Sequence, residues 1–165
     1  MKKGMNFRKY IICFAVLALA HAAVTVHAAE LYRGQTLYVP AYSHIYHGPR
    51  AVEFDLTCTL SIRNTDMSNS IELVSVNYYD SGGELVRRYQ KDSVMLEKLA
   101  TQEYIVDLSD ESGGSGANFI VVWRAEKPVN APLVEAVMIG TQGNQGVSFT
   151  SRARPVSVPA MIERE

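Results

Sequence analysis

Two histidines lie three positions apart in a tyrosine-rich segment, Tyr42-Ser43-His44-Ile45-Tyr46-His47. Neutral imidazole is a common ligand for zinc and copper. A stable site needs a third and usually a fourth ligand, and neither a cysteine nor an acid lies close to these histidines in the sequence. We therefore predict no metal and no other cofactor. Because tyrosine combines an apolar ring face with a polar tip, Tyr42, His44, Tyr46 and His47 are the candidate residues for binding a small ligand.

Residues suited to nucleophilic catalysis do not form a pattern. The motif Gly-x-Ser-x-Gly is missing from the sequence, since Ser115 is followed at once by Gly116. A serine or cysteine nucleophile would need His44 or His47 as its base. Cys58 lies in an apolar strand pattern, where a thiol is poorly placed to ionise. The sequence therefore predicts a protein that is not an enzyme.

An acidic, glycine-rich segment covers residues 107–116. Acidic and hydroxyl side chains alternate from Asp107, as the ligands of a calcium loop do. However, the sixth position is Ser112 rather than glycine and the twelfth is Asn118 rather than glutamate. The segment also lacks the lysine of a phosphate-binding loop. We predict a flexible connection between two strands.

The segment from Phe54 to Arg63 carries the clearest structural pattern. Apolar residues occupy every second position, with polar residues between them: Phe54, Leu56, Cys58, Leu60 and Ile62. Side chains of a strand alternate between its two faces, so this segment has one apolar face and one polar face. That pattern is typical of an antiparallel sheet with one face on a core and the other in water.

Similar strand patterns follow at intervals of about 8 to 15 residues, and no segment has a convincing helical period. We predict an all-β fold, a single immunoglobulin-like two-sheet antiparallel sandwich of about eight strands. "Immunoglobulin-like" refers to architecture only, since the paired cysteines of antibody domains are missing. The predicted domain covers residues 29–154, and residues 155–165 are predicted to form a C-terminal tail.

Residues 1–28 have the layout of a secretory signal peptide. Four basic residues between Lys2 and Lys9 precede an uncharged, largely aliphatic run, and small residues follow. The run from Tyr10 to Val26 has 17 residues, fewer than the roughly 20 that a membrane-spanning helix needs. We predict cleavage after Ala28, with Ala22 as an alternative, and no transmembrane span after processing. The pattern predicts export from the cytoplasm.

Removal of residues 1–28 changes the charge balance. Four of the 16 basic residues leave and no acidic residue does, so 12 basic residues remain against 17 acidic ones, a net charge of −5. Such a mildly acidic protein is not expected to bind nucleic acid. Cys58 is the one cysteine of the predicted mature chain, so we predict no internal disulfide.

Two predicted strands, residues 118–124 and 133–139, have apolar residues on both faces. A simple two-sheet sandwich covers one face of each sheet, so we expect the second face to be covered by residues 94–100, by the tail or by another molecule. An uncovered face would be an apolar patch of the kind that marks interaction sites. The predicted surface, for a protein partner or for self-association, consists of Ile120, Val122, Val134 and Met138.

Five runs in the chain are distinctive. They are Tyr-Ser-His-Ile-Tyr (42–46), Thr-Leu-Ser-Ile-Arg-Asn-Thr-Asp (59–66), Ser-Gly-Gly-Ser-Gly-Ala-Asn-Phe (112–119), Val-Met-Ile-Gly-Thr (137–141) and Gly-Val-Ser-Phe-Thr-Ser-Arg (146–152). Together they resemble the bacterial exported family labelled domain of unknown function 3124. The resemblance covers residues 34–154. It implies a single exported bacterial domain, so the expected location is the bacterial periplasm or the outside of the cell. It brings no known activity or catalytic residue.

These patterns predict a non-enzymatic, exported interaction module. The alternative is a domain that binds a small ligand or a carbohydrate through the segment from Tyr42 to His47. The two functions use different surfaces. The positions of the segment from Tyr42 to His47 and of the apolar surface residues in the fold are therefore relevant to both predictions.

Overall fold

A computed structural model describes residues 30–157 of the chain. The predicted signal peptide, residues 1–28, lies outside the described residues, and so do residues 158–165 of the predicted tail. Within the described range, no helix has the length and the apolar character needed to cross a membrane.

The described residues form twelve β-strands and one 3-10 turn, Glu111–Gly113. In chain order the strands are β1 (Leu31–Pro40), β2 (His44–His47), β3 (Val52–Asp55), β4 (Thr57–Arg63), β5 (Ile71–Tyr79), β6 (Leu85–Gln90), β7 (Val94–Leu96), β8 (Thr101–Val106), β9 (Asn118–Asn130), β10 (Leu133–Gln142), β11 (Gln145–Arg152) and β12 (Arg154–Ser157).

The strands form two large sheets and a separate hairpin. The six-stranded sheet has the order β12-β1-β9-β5-β6, with β7 also beside β5, and the four-stranded sheet has the order β11-β10-β4-β8. The hairpin consists of β2 and β3. Every pairing among the described strands is antiparallel. The predicted all-β, immunoglobulin-like two-sheet sandwich is confirmed, whereas the described residues contain twelve strands rather than about eight.

The strands beyond the predicted number are short. β2, β3, β7 and β12 have three or four residues each, and alternation over so few residues does not distinguish a strand from a loop. β12 also contains Pro155, which donates no backbone hydrogen bond and therefore suits an edge strand. β12 pairs with β1, so residues 155–157 belong to the sandwich and the predicted boundary at residue 154 is three residues too early.

The core lies between the two large sheets. The segment from Phe54 to Arg63 includes the end of β3, then Leu56, and then all of β4. Its alternating apolar residues are all buried. The largest fully buried side chain of the six-stranded sheet is that of Trp123. Burial of apolar surface contributes about 25 cal/mol per Å², so this layer fixes which face of each strand points inward.

Both open sides of the sandwich are closed by side chains or by the chain itself. On one side the chain passes from β11 to β12 through Ala153, whose N–H donates to the Val134 carbonyl over 3.0 Å. On the other side the Tyr89 hydroxyl donates to the Ile105 carbonyl over 2.9 Å, and the Tyr104 hydroxyl donates to the Gln90 side chain. The two sheets are therefore tied together at both sides.

The glycine-rich segment packs closely on the core. The Gly113 carbonyl accepts the Ser81 N–H over 3.0 Å, and the Gly114 carbonyl accepts the Ser43 N–H over 3.0 Å. A Cβ at Gly113 would overlap the Tyr78 hydroxyl and lie 2.6 Å from its Cζ. These contacts tie the segment to β5 and to the connection after β1, so the prediction of a flexible connection is wrong here. Glycine is needed because a side chain would displace Tyr78.

We expect Gly113→Ala to lower the free energy of unfolding by about 1–3 kcal/mol, because the added methyl group overpacks the Tyr78 site. Urea unfolding followed by circular dichroism measures the change. The matched control is Gly146→Ala, since the nearest atom to a Cβ there is 3.9 Å away. A loss of stability that is the same for both variants would contradict the packing role of Gly113.

Candidate functional site

The predicted ligand-binding residues do not converge on one groove. His44 and His47 lie an odd number of residues apart in β2, so their side chains point to opposite faces of the hairpin. The His47 ring packs edge-on against Phe54, with ring centroids 6.0 Å apart. Tyr42 packs edge-on against Phe149 of β11, at 5.6 Å. The two imidazoles are therefore on opposite faces, where they cannot bind the same metal ion.

His44 and Tyr46 do lie together, with Glu53 of β3. The His44 Nε2 and the Tyr46 hydroxyl share a hydrogen bond of 3.1 Å, and the two rings meet edge-on with centroids 5.1 Å apart. A carboxylate oxygen of Glu53 is 3.8 Å from the same Nε2. His44 is buried, whereas Tyr46 is 53% exposed. This cluster offers an exposed aromatic ring beside an acid, which is half of the predicted ligand site.

The predicted interaction surface is corrected in part by the structure. Val134 and Met138 are only 3% and 0% exposed, because β10 turns them toward the core. Ile120 and Val122 alternate with the buried residues of β9 and face outward, half-buried. Sequence alternation correctly separates the two faces of each strand, but it does not say which face meets the other sheet. Ile120 and Val122 are the two predicted residues that remain on a surface.

These two residues lie at the centre of the outer face of the six-stranded sheet. In register across the sheet, Ile120 lies beside Tyr38 of β1 and Asn77 of β5. Arg154 of β12 is next to Tyr38, and Arg88 of β6 is next to Asn77. In the adjacent row, Val122 lies between Thr36 of β1 and Ser75 of β5. We call this surface the Tyr38 face, and its residues are Thr36, Tyr38, Ser75, Asn77, Arg88, Ile120, Val122 and Arg154.

The Tyr38 face has an uncharged centre and basic ends. Its middle residues are half-buried by their neighbours, while Arg88 and Arg154 are exposed. Tyrosine and arginine are enriched among the residues that contribute most of the binding energy of protein interfaces. Sequence reasoning did not place Tyr38 or the two arginines on this surface, because the register of β1, β9 and β5 decides which residues become neighbours and no local pattern gives that register.

The described residues also enclose a shallow polar cleft of about 460 Å³, between residues 68–70, β7 and the second half of β9. Arg124 and Glu72 form a bidentate ion pair across one wall, with N–O distances of 2.6 Å and 2.9 Å. The Arg124 guanidinium lowers the pKa of the Glu72 carboxyl. Glu97, Glu126 and Lys127 also line the cleft. The ion pair neutralises one wall, and these three residues, two acids and one lysine, leave a formal net charge of −1, so the cleft offers polar contacts but little net attraction for a charged ligand.

A buried polar network holds one wall of the cleft. The Asn64 side-chain amide donates to the carbonyls of Asn69, Leu96 and Glu97, at 2.9 Å, 3.1 Å and 3.1 Å. The Asp66 carboxylate accepts the backbone N–H groups of Ser68 and Asn69, at 2.9 Å and 2.8 Å. Asn64 and Asp66 lie within the distinctive run of residues 59–66. Their hydrogen bonds give both residues a role in stabilising the fold.

The residues considered as calcium ligands or as a nucleophile have structural roles. Asp107 accepts both the N–H and the O–H of Ser109, at 3.0 Å and 2.8 Å, and Asp110 pairs with Arg87 at 2.9 Å. In the range 30–157, no group of three or more histidine, cysteine or acidic residues is placed to hold a metal ion. Cys58 is fully buried, and burial raises the pKa of its thiol to about 12.

The Asp66 carboxyl should contribute to the pH dependence of folding. The Ser68 N–H, and then the Asn69 N–H, lower the pKa of the Asp66 carboxyl. A group with a lowered pKa in the folded state contributes stability above its unfolded-state pKa, and that contribution is lost as the pH falls through the folded-state pKa. We expect Asp66→Asn to destabilise the protein most at neutral pH, with a difference from the wild type that shrinks as the pH falls.

Urea unfolding at pH 7, 5 and 3 tests this expectation. The control is Asp92→Asn, which changes an exposed acid outside the network. A difference between the wild type and Asp66→Asn that stays constant over this pH range would rule out a role for the Asp66 charge.

The comparisons with known proteins point to a family. No curated protein matches the chain. The chain is similar to one solved structure, titled "Crystal Structure of Thermotoga maritima 1070", at 10% sequence identity and a TM-score of 0.45, covering 74% of this chain and 93% of that one. A family model described as "Protein of unknown function (DUF3124)" matches residues 34–156. This range extends from β1 into β12 and so includes nearly the whole sandwich, and the chain therefore belongs to the DUF3124 family.

Proposed function

We propose that this protein is a non-enzymatic, exported interaction module of the bacterial periplasm that docks a partner protein on the Tyr38 face. The observation that carries the proposal is the row across five strands in which Tyr38, Ile120 and Asn77 lie between Arg154 and Arg88. Export is supported by the signal-peptide pattern of residues 1–28.

The chemistry of the row suggests the chemistry of the partner. Arg88 and Arg154 place positive charge at both ends of the face, although the predicted mature chain has an excess of acidic residues. Opposite charges steer a partner and set its orientation, while a tyrosine and an isoleucine at the centre supply apolar contact area. The best-fitting partner is a protein segment with an apolar side chain between acidic residues.

The absence of an enzymatic role is part of the proposal. The Cys58 thiol is fully buried and its pKa is raised to about 12, so it is not a ready nucleophile near neutral pH. The His44 imidazole shares its hydrogen bond with the Tyr46 hydroxyl, and His47 lies on the opposite face of the hairpin. These positions favour binding over catalysis.

Site-specific photo-crosslinking in the cells that make the protein tests the docking proposal. A photoreactive residue at position 38 should give one discrete adduct, whereas the same residue at position 105, 57% exposed on the other sheet, should not. Combined reversal of charge, Arg88→Glu with Arg154→Glu, should weaken adduct formation at least about fivefold, the equivalent of about 1 kcal/mol. Equal adducts at positions 38 and 105, or adducts that charge reversal leaves unchanged, would reject the Tyr38 face.

A second candidate function is the binding of a carbohydrate or another small ligand at the β2–β3 hairpin. The exposed Tyr46 ring beside His44 and Glu53 favours it. A glycan array should then show binding that Tyr46→Ala abolishes and Tyr42→Ala retains, because Tyr42 packs against Phe149 away from the cluster. Failure of the protein to bind any glycan, or equal losses in both variants, would count against this function.

A further inference from the structure

The edges of the two large sheets are protected very unequally. An exposed strand edge presents unpaired N–H and C=O groups to other chains, and proteins block such edges with charges, prolines, irregular pairing or covering side chains. Three edges of this sandwich carry such devices. On the fourth edge, that of β11, the described residues provide no charge, proline or irregular pairing before Arg152, and the nearest contact is the Ser151 hydroxyl, which donates to the Pro40 carbonyl at the end of β1.

The edges formed by β8, by β6 with β7, and by β12 are each blocked. On β8, the Tyr89 hydroxyl already donates to the Ile105 carbonyl. The β6–β7 edge is interrupted by residues 91–93, and the pairing of β6 with β5 has two register shifts. The edge strand β12 has four residues and includes Arg154 and Pro155. β8 pairs with β4 without a register shift, but it has six residues, includes Glu103 and has its Ile105 carbonyl already occupied. Each of these three edges therefore carries at least one such device.

β11 is long and regular by comparison. Its eight residues pair with β10 without a register shift, and β10 is its only strand partner among the described residues. The sequence of β11, Gln-Gly-Val-Ser-Phe-Thr-Ser-Arg, contains no proline, lysine or acid, and its one charge is at the last position, Arg152. Valine, phenylalanine and threonine favour strands. This edge is therefore suited to pair with a further strand.

The turn before β11 decides which backbone groups are free. Gln142 and Gln145 close a two-residue hairpin loop, and the closing pair of such a loop is hydrogen-bonded. The odd-numbered residues of β11 therefore bond to β10. The even-numbered ones direct their N–H and C=O groups away from the sheet, and they are Gly146, Ser148, Thr150 and Arg152.

We propose that two copies of this protein pair antiparallel through their β11 edges and join their four-stranded sheets into one continuous sheet. With Ser148 opposite Thr150 of the second copy, the free backbone groups from Gly146 to Arg152 of each copy face those of the other. A foreign strand would also find free backbone groups here, but a second copy is favoured because antiparallel pairing places the one charge of each edge, Arg152, opposite a glycine and small hydroxyl residues opposite each other.

The charges of the two edges fit this arrangement. Arg152 of each copy lies opposite Gly146 of the other, so no like charges face each other in the pair. Within its own sheet, Arg152 already lies beside Glu135 of β10. Ser148 and Thr150 are small, and their neighbours in β10 are Ile139 and Val137. Pairing of the two copies would thus extend this partly apolar strip across the junction. The proposal is independent of the Tyr38 face, which lies on the other sheet.

Sedimentation velocity over a range of protein concentrations tests the pairing. The mature chain should form a dimer. Thr150→Lys, which places a charge on the edge, should raise the dimer dissociation constant at least about tenfold. The matched control is Thr101→Lys, because Thr101 is exposed at the opposite edge of the same sheet. This variant should dimerise as the wild type does. A monomer at all concentrations, or a dimer that Thr150→Lys leaves intact, would overturn the proposal.

Amide hydrogen exchange gives a second, residue-level readout. The N–H groups of Ser148 and Thr150 should exchange on the order of 100-fold more slowly in the dimer than in the Thr150→Lys variant. The N–H groups of Val147 and Phe149, which bond to β10, should stay protected in both proteins and so report that the fold is intact. Fast exchange at Ser148 in a protein that is dimeric by sedimentation would place the interface elsewhere and reject the β11 edge.

Discussion

The structure depends on burying one face of each large sheet against the other. Because side chains alternate strictly along a strand, the choice of the inward face at one residue decides the position of every residue in that strand. Trp123 and Phe119 point into the core from β9, and Leu60 does so from β4. Ile120 and Val122 must then face outward. The outward position of the Tyr38 face follows directly from this constraint.

The same constraint separates two kinds of surface. The outer faces of the sheets present side chains, so their specificity depends on rows such as the one formed by Arg154, Tyr38, Ile120, Asn77 and Arg88. The sheet edges present backbone groups, and their availability depends on what blocks them. Tyr89 blocks one edge with a single hydroxyl, while no residue between 30 and 157 donates or accepts a comparable hydrogen bond at the outer backbone groups of β11. We therefore propose the side-chain row as the surface for a partner and the backbone edge as the surface for a second copy.

Sequence periodicity was sufficient for the fold class and for the faces of strands with one apolar and one polar face. The five alternating apolar residues from Phe54 to Ile62 are all buried, as their spacing predicts. Periodicity failed where elements are short, as in β2 and β12, and where both faces of a strand are apolar, as in β10. In β10 it could not tell that Val134 and Met138 face the core, because that choice depends on the packing of the other sheet. The neighbours of Ile120 were equally hidden, since register is a property of strand pairs.

The inward and outward faces of β9 can be distinguished directly by thiol labelling. In the predicted mature chain Cys58 is the one native cysteine, and it is fully buried, so an introduced cysteine can be followed by itself. Under native conditions a cysteine at position 120 should react quickly with a thiol reagent, while one at position 121 should react only after unfolding. Equal rates at the two positions, or faster labelling at position 121, would contradict the orientation of β9 on which the Tyr38 face depends.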